Sequence, residues 1–495
     1  MNKRMNRNRL NIGAYHLQPY SRTEEHIKDV RDCGVDFIVC MDYDKAAFDL
    51  FEKYGVGVVV NRVVPGWWGG DGNNAGTMEK RNPLSAYEEA AESFADHPAI
   101  WGIDIGDEPS ARDFPHYGKV FGKVERLFEN QFPYLNLYPN YASVSQNSGE
   151  ETVNQLGTPS YNDYIREYCE NVPADYICYD FYLYSINVNK AYSNLKTVSD
   201  ACRKYNRDMW IVLQVNSNRP EAWITENQLR FQAFTALAFG AKNIIWACYN
   251  EGWWYNHVLD NEGNKTIQYE RLKKVNGELK KIADNLTDYD CASTYFVNFD
   301  GTDWLNGTEI APVKAVTTGI IRNLTAAGPV VVGKMLPKAK SEPELLFIAE
   351  ASDPMDTGAE NNVISFSAIS GREQIEIITN LGSVAYSEPE DGSFSFTLPA
   401  SGCAVIKITN RSAETYPEEN EKNTTVTRLL YGAPGLQKDK AITPMRFVYG
   451  SPEMLRKNRD HSAAAKEVGD GPISETAQES DASPEASSES GDKDK

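Results

Sequence analysis

Two adjacent carboxylates, Asp107 and Glu108, end a run that is apolar through Ile105, Ala99-Ile100-Trp101-Gly102-Ile103-Asp104-Ile105-Gly106, and Pro109 follows them at once. A run of this kind predicts a buried strand, and proline, which has no amide hydrogen to give the ladder, stops it. Carboxylates are costly to bury unless paired, so a strand that stops on two of them points to acid–base work at its carboxyl end. The charge of Asp107 disfavours a second charge beside it and helps to keep Glu108 protonated near neutral pH, as a proton donor requires. The same two acids would also suit the start of a helix near Ser110, whose free amide hydrogens carboxylates cap.

The elements that must position this pair repeat along the chain. From residue 11 to about 250, short apolar runs alternate with amphipathic stretches. The runs cover 11–17, 35–41, 56–61, 100–105, 134–138, 176–182, 209–215 and 243–249. Helix-like stretches lie at 24–32, with Thr23 as cap, and at 45–54, ahead of Gly55. Others follow at 85–95, 117–130, 161–170, 191–205, 226–239 and 269–286. Eight strands and eight crossovers within about 290 residues predict a closed (β/α)8 barrel over 11–290. The runner-up, an open doubly wound sheet, usually shows a glycine-rich phosphate turn after its first strand, and Gly13-Ala14-Tyr15-His16 is not one. Past residue 290 the rhythm becomes strand and turn, which predicts an antiparallel β-sandwich over 291–410. Residues 411–466 read as an irregular polar extension. Residues 467–495 hold nine acidic and two basic residues among many Ser, Ala and Gly, and read as a disordered acidic tail.

In such a barrel the residues just after each strand ring one mouth, where sites of this fold sit. They are His16 and Gln18, Asp42 and Asp44, Asn61 and Arg62 with Trp67 and Trp68, Asp107 and Glu108, Asn140 and Tyr141, Asp180 with Tyr182 and Tyr184, Gln214 and Asn216, and Asn250 and Glu251 with Trp253 and Trp254. Carboxylates and amides hydrogen-bond hydroxyl groups, and indole and phenol faces cover the C–H patches of a pyranose ring, so a carbohydrate fits this ring. Cleaving a glycosidic bond needs one carboxylic acid for the leaving oxygen and a second carboxylate as nucleophile or base. Glu108 is the candidate acid. Asp180 and Glu251 are equal candidates for the second role, with Asp42, Asp44 and Glu221 behind them.

On these residues the chain resembles clan A glycoside hydrolases, the retaining (β/α)8 enzymes, and within them the β-galactosidase-like branch. Their acid/base Glu follows the fourth strand, usually after Asn; the resemblance implies that role for Glu108, with Asp107 replacing the amide. The step Asp180-Phe181-Tyr182 matches one that many relatives carry after the sixth strand, and Ala238-Phe239-Gly240-Ala241-Lys242 resembles the segment before their last strand. The family's nucleophile is a Glu ending the seventh strand, where this chain has Gln214. Three outcomes stay open: another carboxylate serves, the enzyme inverts with Asp180 or Glu251 activating water, or the barrel binds sugar without cleaving it. A lyase or aldolase using a Schiff-base lysine is disfavoured, because Lys242 precedes the eighth strand and so lies at the other end of the barrel.

A formal charge of −20 argues against nucleic acid as partner. No run of 18 apolar residues predicts a membrane span. The eight cysteines are scattered in apolar runs without a CxxC pair, which predicts reduced core thiols, no metal and no cofactor. The basic start at residues 1–10 is not followed by an apolar export segment, so the cytoplasm is the expected location, or the cell exterior or periplasm if a signal has been trimmed. Oligomeric state is not legible.

Overall fold

A computed structural model describes residues 4–61, 74–93, 96–144, 155–185, 190–299, 310–339, 342–356, 358–369, 373–383 and 392–410. Eight parallel strands form one sheet in the order β5-β4-β3-β2-β1-β8-β7-β6. These are β1 (Asn11–Tyr15), β2 (Phe37–Met41), β3 (Gly57–Val60), β4 (Ile100–Asp107), β5 (Phe132–Asn136), β6 (Tyr176–Phe181), β7 (Asp208–Gln214) and β8 (Ala241–Ala247). A bridge between Leu137 and Tyr179 closes the circle, with the Leu137 amide donating to the Cys178 carbonyl at 2.9 Å. The (β/α)8 barrel expected from the sequence is therefore present.

Helices α1 (Glu24–Asp32), α2 (Lys45–Tyr54), α3 (Met78–Arg81), α4 (Leu84–Ser93), α5 (Phe114–Leu127), α6 (Tyr161–Asn171), α7 (Ala191–Tyr205), α8 (Glu226–Ala238) and α9 (Ile267–Ala283) join the strands. Their starts follow capping chemistry: Thr23 accepts from the His26 amide, Asp44 from Ala47, Ser160 from Asp163, and Thr225 forms a reciprocal box with Gln228. Gly55, at φ 65°, ends α2 in the left-handed conformation that glycine adopts without a Cβ penalty.

Two strand limits differ from the sequence expectation of 100–105 and 134–138 and matter for the site. β4 runs on to Asp107, and β5 starts at Phe132, so that Asp107 pairs with Asn136. The expected fifth strand began after Pro133, which cannot donate to a ladder. β5 tolerates this proline because its one backbone ladder pairing toward β6 among the described residues is the Leu137–Tyr179 bridge, which leaves it edge-like.

The second half is antiparallel. A three-stranded sheet, β10 (Ile321–Ala326), β13 (Asn362–Ala368) and β16 (Ser393–Leu398), faces a six-stranded one. The latter holds β9 (Tyr289–Val297), β11 (Val330–Pro337), β12 (Leu345–Glu350), β14 (Glu373–Thr379), β15 (Gly382–Ser383) and β17 (Cys403–Asn410). The six-stranded sheet is buried on both faces in strict alternation. Val330, Val332, Leu346, Ile348, Ala404 and Ile406 enter the sandwich core, while Val331, Phe347, Ala349, Cys403 and Val405 join the barrel core. This explains α8, which is buried along nearly its whole length: it lies between the barrel strands and this sheet, and a helix covered on both sides needs no polar stripe. β9 and β10 escaped the sequence reading because strands carrying Asp290, Ser293, Thr294, Arg322 and Asn323 show no apolar run. The polar extension and acidic tail expected at 411–495 lie outside the described residues.

Candidate active site

Four barrel strands reach the mouth through residues held in the left-handed region. His16 has φ 64°, Cys40 60°, Glu108 47° and Glu251 43°. Each costs a non-glycine residue roughly 1–3 kcal/mol, and such strain persists where surrounding structure imposes it. At Glu108 the cause is visible: the chain must leave β4 and turn into Pro109 while the Glu108 amide still donates to the Asn136 carbonyl at 2.9 Å.

Asn136 is the centre of the carboxyl cluster. Its Nδ2 donates to Asp107 Oδ1 at 3.0 Å and to Asp180 Oδ1 at 2.9 Å, which holds those two oxygens within about 6 Å of each other. Its Oδ1 accepts from Cys178 Sγ at 3.5 Å, which fixes which way the amide faces. Tyr141 lies near enough for the charges of Asp180 and Glu108 to add to the effect of burial and raise its hydroxyl. A third carboxyl, Asp104, takes the Gly106 amide at 3.1 Å and Cys40 Sγ at 3.5 Å. Among the described residues no Lys, Arg or His nitrogen lies within ion-pair distance of Asp104, Asp107 or Asp180.

Burial of Asp180 and half-burial of Asp104 and Asp107, without a cation among the described residues, raise all three. Desolvation, followed by the charge of Asp107, pushes Asp104 up to about 7. Asp107 and Asp180 rise for the same first reason, and the charge of Asp107 adds to the rise at Asp180. At neutral pH the cluster therefore holds protonated and ionised carboxyls side by side, the two forms that acid–base chemistry needs.

Aromatic rings wall this floor. Tyr15 and Tyr182 both feel Asp107, and both meet Trp253 edge-on, with centroids 5.7 and 5.9 Å away. His16 packs on Trp253 at 5.7 Å, Trp254 on Tyr182 at 5.0 Å, and burial keeps His16 below its usual range, hence neutral. Trp253 Nε1 is buried and without a partner among the described residues, as is Asn61 Oδ1 after β3. Arg62, Trp67 and Trp68, named with Asn61 from the sequence, lie outside the described residues.

No family model matches the chain, and no curated protein matches it. Solved structures do. A cycloisomaltooligosaccharide glucanotransferase from Paenibacillus sp. aligns over 81% of this chain and 85% of its own, at 9% identity and a TM-score of 0.48. A glycoside hydrolase family 5 mannosidase from Rhizomucor miehei aligns over 55% and 94%, at 11% and 0.36. An endoglucanase from Pseudomonas stutzeri aligns over 54% and 94%, at 14% and 0.35. At such identities a likeness concerns fold alone, and residue roles rest on the geometry above.

The other candidates separate into different jobs. Gln214 is fully buried and spends its whole amide within the protein: Oε1 accepts from the Tyr184 amide at 2.9 Å, and Nε2 donates to Ser185 Oγ at 2.6 Å and to the Asn216 carbonyl at 2.9 Å. It fastens the loop after β6 to the end of β7. Glu251 takes the Tyr20 hydroxyl at 2.7 Å, on the rim. Asp44 caps α2, and Glu221 is exposed. The residues that sequence reasoning missed are Asn136 and Asp104. Both had a signal: each is a single polar residue inside an apolar strand, and such a residue needs a buried partner. Among the described residues no group of three or more His, Cys, Asp or Glu is placed to hold a metal ion.

Proposed function

We propose that this protein is a glycoside hydrolase acting on an oligo- or polysaccharide, β-galactosidase-like in its placement of the acid, with Glu108 as general acid/base and Asp180 as the second carboxylate. The observation that carries this reading is Asn136, whose side chain joins Asp107 to Asp180 while its carbonyl takes the Glu108 amide, so that the ends of β4 and β6 bring their carboxyl residues to one point of the barrel mouth. Asp180 is preferred to Glu251 because it belongs to this cluster, whereas Glu251 is engaged by Tyr20.

In the reaction Glu108 gives its proton to the departing glycosidic oxygen, and ionised Asp180 either bonds to the anomeric carbon or takes a proton from the attacking water. Glu108 then recovers a proton, in the first case from the water that releases the sugar. The aromatic wall of Tyr182 and Trp253 excludes water and covers the C–H face of the ring. Asp180 works only when ionised, and its burial raises the pH at which that happens. The acid limb of the rate profile should accordingly lie well above the ordinary carboxylate range.

The test is release of the aryl group from a panel of aryl α- and β-glycosides (galactoside, glucoside, fucoside, arabinoside and N-acetylhexosaminide) by wild type, Glu108→Gln and Asp180→Asn. Turnover by wild type and loss in both variants is the expected result, and NMR of the first-formed anomer then separates retention from inversion. Full activity in Glu108→Gln would end this reading. The structural employment of Gln214 favours one alternative, a barrel that binds sugar without cleaving it, because β7 then supplies no carboxylate to the mouth. Tight glycan binding by wild type without turnover would select it.

A further inference from the structure

A groove of about 680 Å³ runs along the rim of the same barrel face, beside the site but outside it. One wall is the loop after β6, through Tyr184; a second is the loop between β7 and α8, through Arg219 and Trp223. The third comes from the sandwich, where Asp353 and Asp356 follow β12. Its volume falls within the range of small-ligand pockets. Trp223 is 37% exposed there, a large indole that folding has left uncovered.

Two chain segments connect the groove with the proposed site. Tyr182 walls the carboxyl cluster and Tyr184, two residues on, lines the groove. Tyr255 follows Trp253 and Trp254 and forms a two-bond bridge with Ser217, which also lines the groove: each amide donates to the other's carbonyl, at 3.0 and 2.8 Å. The groove is also held in shape. Asn256 Nδ2 donates to the carbonyls of Pro220 at 3.1 Å and Ala222 at 2.6 Å, Tyr184 gives its hydroxyl to the Gln228 carbonyl at 2.7 Å, and Gln228 Nε2 meets Met355 Sδ at 2.6 Å. The last contact spans the barrel and the sandwich.

We infer that this groove is a second carbohydrate subsite, built jointly by the barrel rim and the sandwich, which holds neutral sugar units of a chain whose scissile bond lies at Glu108. The inference rests on the hydrolase reading above and names the substrate as an oligosaccharide rather than a single glycoside. The chemistry of the lining supports it: an exposed indole and a phenol offer faces for pyranose C–H groups, while Arg219, Asp353 and Asp356 offer paired donors and acceptors for vicinal hydroxyls. Two aspartates at one wall and a chain charge of −20 oppose an acidic polysaccharide.

The test uses Trp223→Ala, Trp223→Phe and Asp353→Ala in the full chain, each with its melting temperature as a fold control. Substrates are the aryl monoglycoside that wild type cleaves and oligosaccharides of the same sugar in increasing length. Wild-type kcat/KM should rise with length. In Trp223→Ala that rise should be lost, about a tenfold fall on the longer substrates with the monoglycoside unchanged within about twofold, and Trp223→Phe should recover part of it. A length dependence equal in wild type and Trp223→Ala, or absent in wild type, overturns the inference. If no glycoside is cleaved, the hydrolase reading fails on its own. Calorimetry with gluco-, manno-, galacto- and xylo-oligosaccharides then decides: binding weakened by Trp223→Ala sustains the subsite, and no binding refutes it.

Discussion

On the β4–β6 side of the barrel mouth, Asp107 and Asp180 divide a single amide between them and Asp104 sits close by, with no described cation in reach. On the β7–β8 side the buried amide of Gln214 has every hydrogen-bonding atom matched, and Glu251 sits on the rim, where it accepts from Tyr20. The first side keeps groups that folding alone would disfavour; the second is what a fold satisfied with itself looks like. Buried charge without a counter-charge persists where something besides stability retains it, and this asymmetry is the physical reason for placing the chemistry on β4, β5 and β6.

Substitutions on the two sides should break or sharpen that contrast. The largest effect is expected from Glu108→Gln, which keeps size and hydrogen bonding but removes the transferable proton; turnover of an aryl glycoside should fall by about 10²–10⁴ with little change in melting temperature. Next comes Gln214→Glu. Restoring a carboxylate at the end of β7 should not raise activity, because the side chain would set a negative charge against the Asn216 carbonyl and lose a donor. Denaturant titration should show a loss of about 2–4 kcal/mol, and a gain in turnover would mean that β7 belongs to the chemistry after all.

Asp104→Asn should act in the opposite direction. A carboxyl raised to about 7 holds its proton more tightly folded than unfolded, so the folded chain carries the extra proton between about pH 4 and 7 and stability falls as pH rises through that window. Asparagine removes the penalty. The variant should be more stable than wild type by about 1–3 kcal/mol at pH 8 and close to it at pH 4.5. Equal differences at the two pH values would show that Asp104 is not a raised acid. The smallest effect belongs to Tyr20→Phe, which frees Glu251 on the rim: a change in turnover within about threefold and in stability below about 1 kcal/mol. A large loss would return Glu251 to the list of reacting groups.

The barrel was legible because its signals are local. Apolar runs broken by amphipathic stretches, Thr23 and Asp44 as caps and Gly55 as a stop each act within a few residues, and helices α1, α2 and α7 fall where the pattern puts them. The sandwich was legible wherever a strand is buried on both faces, as in Leu345–Glu350, and illegible in Tyr289–Val297, whose polar residues hide its alternation. Glu108 could be singled out because an acid pair followed by proline interrupts an apolar run. The partners of that pair could not.

By itself the sequence determined the eight-fold rhythm, the end of β4 at its acids and the aromatic and amide chemistry of the mouth, all consequences of period and of neighbours along the chain. Tertiary structure alone decided that β5 pairs two residues earlier than its apolar run suggests. That register places Asn136 between Asp107 and Asp180, 29 and 44 residues away along the chain. It also decided that Gln214 is a fastener and that Trp223 and Asp353, from the barrel and the sandwich, line one groove. The reason is that hydrogen-bond partners and desolvation are properties of the closed barrel, and neither exists until distant strands have met.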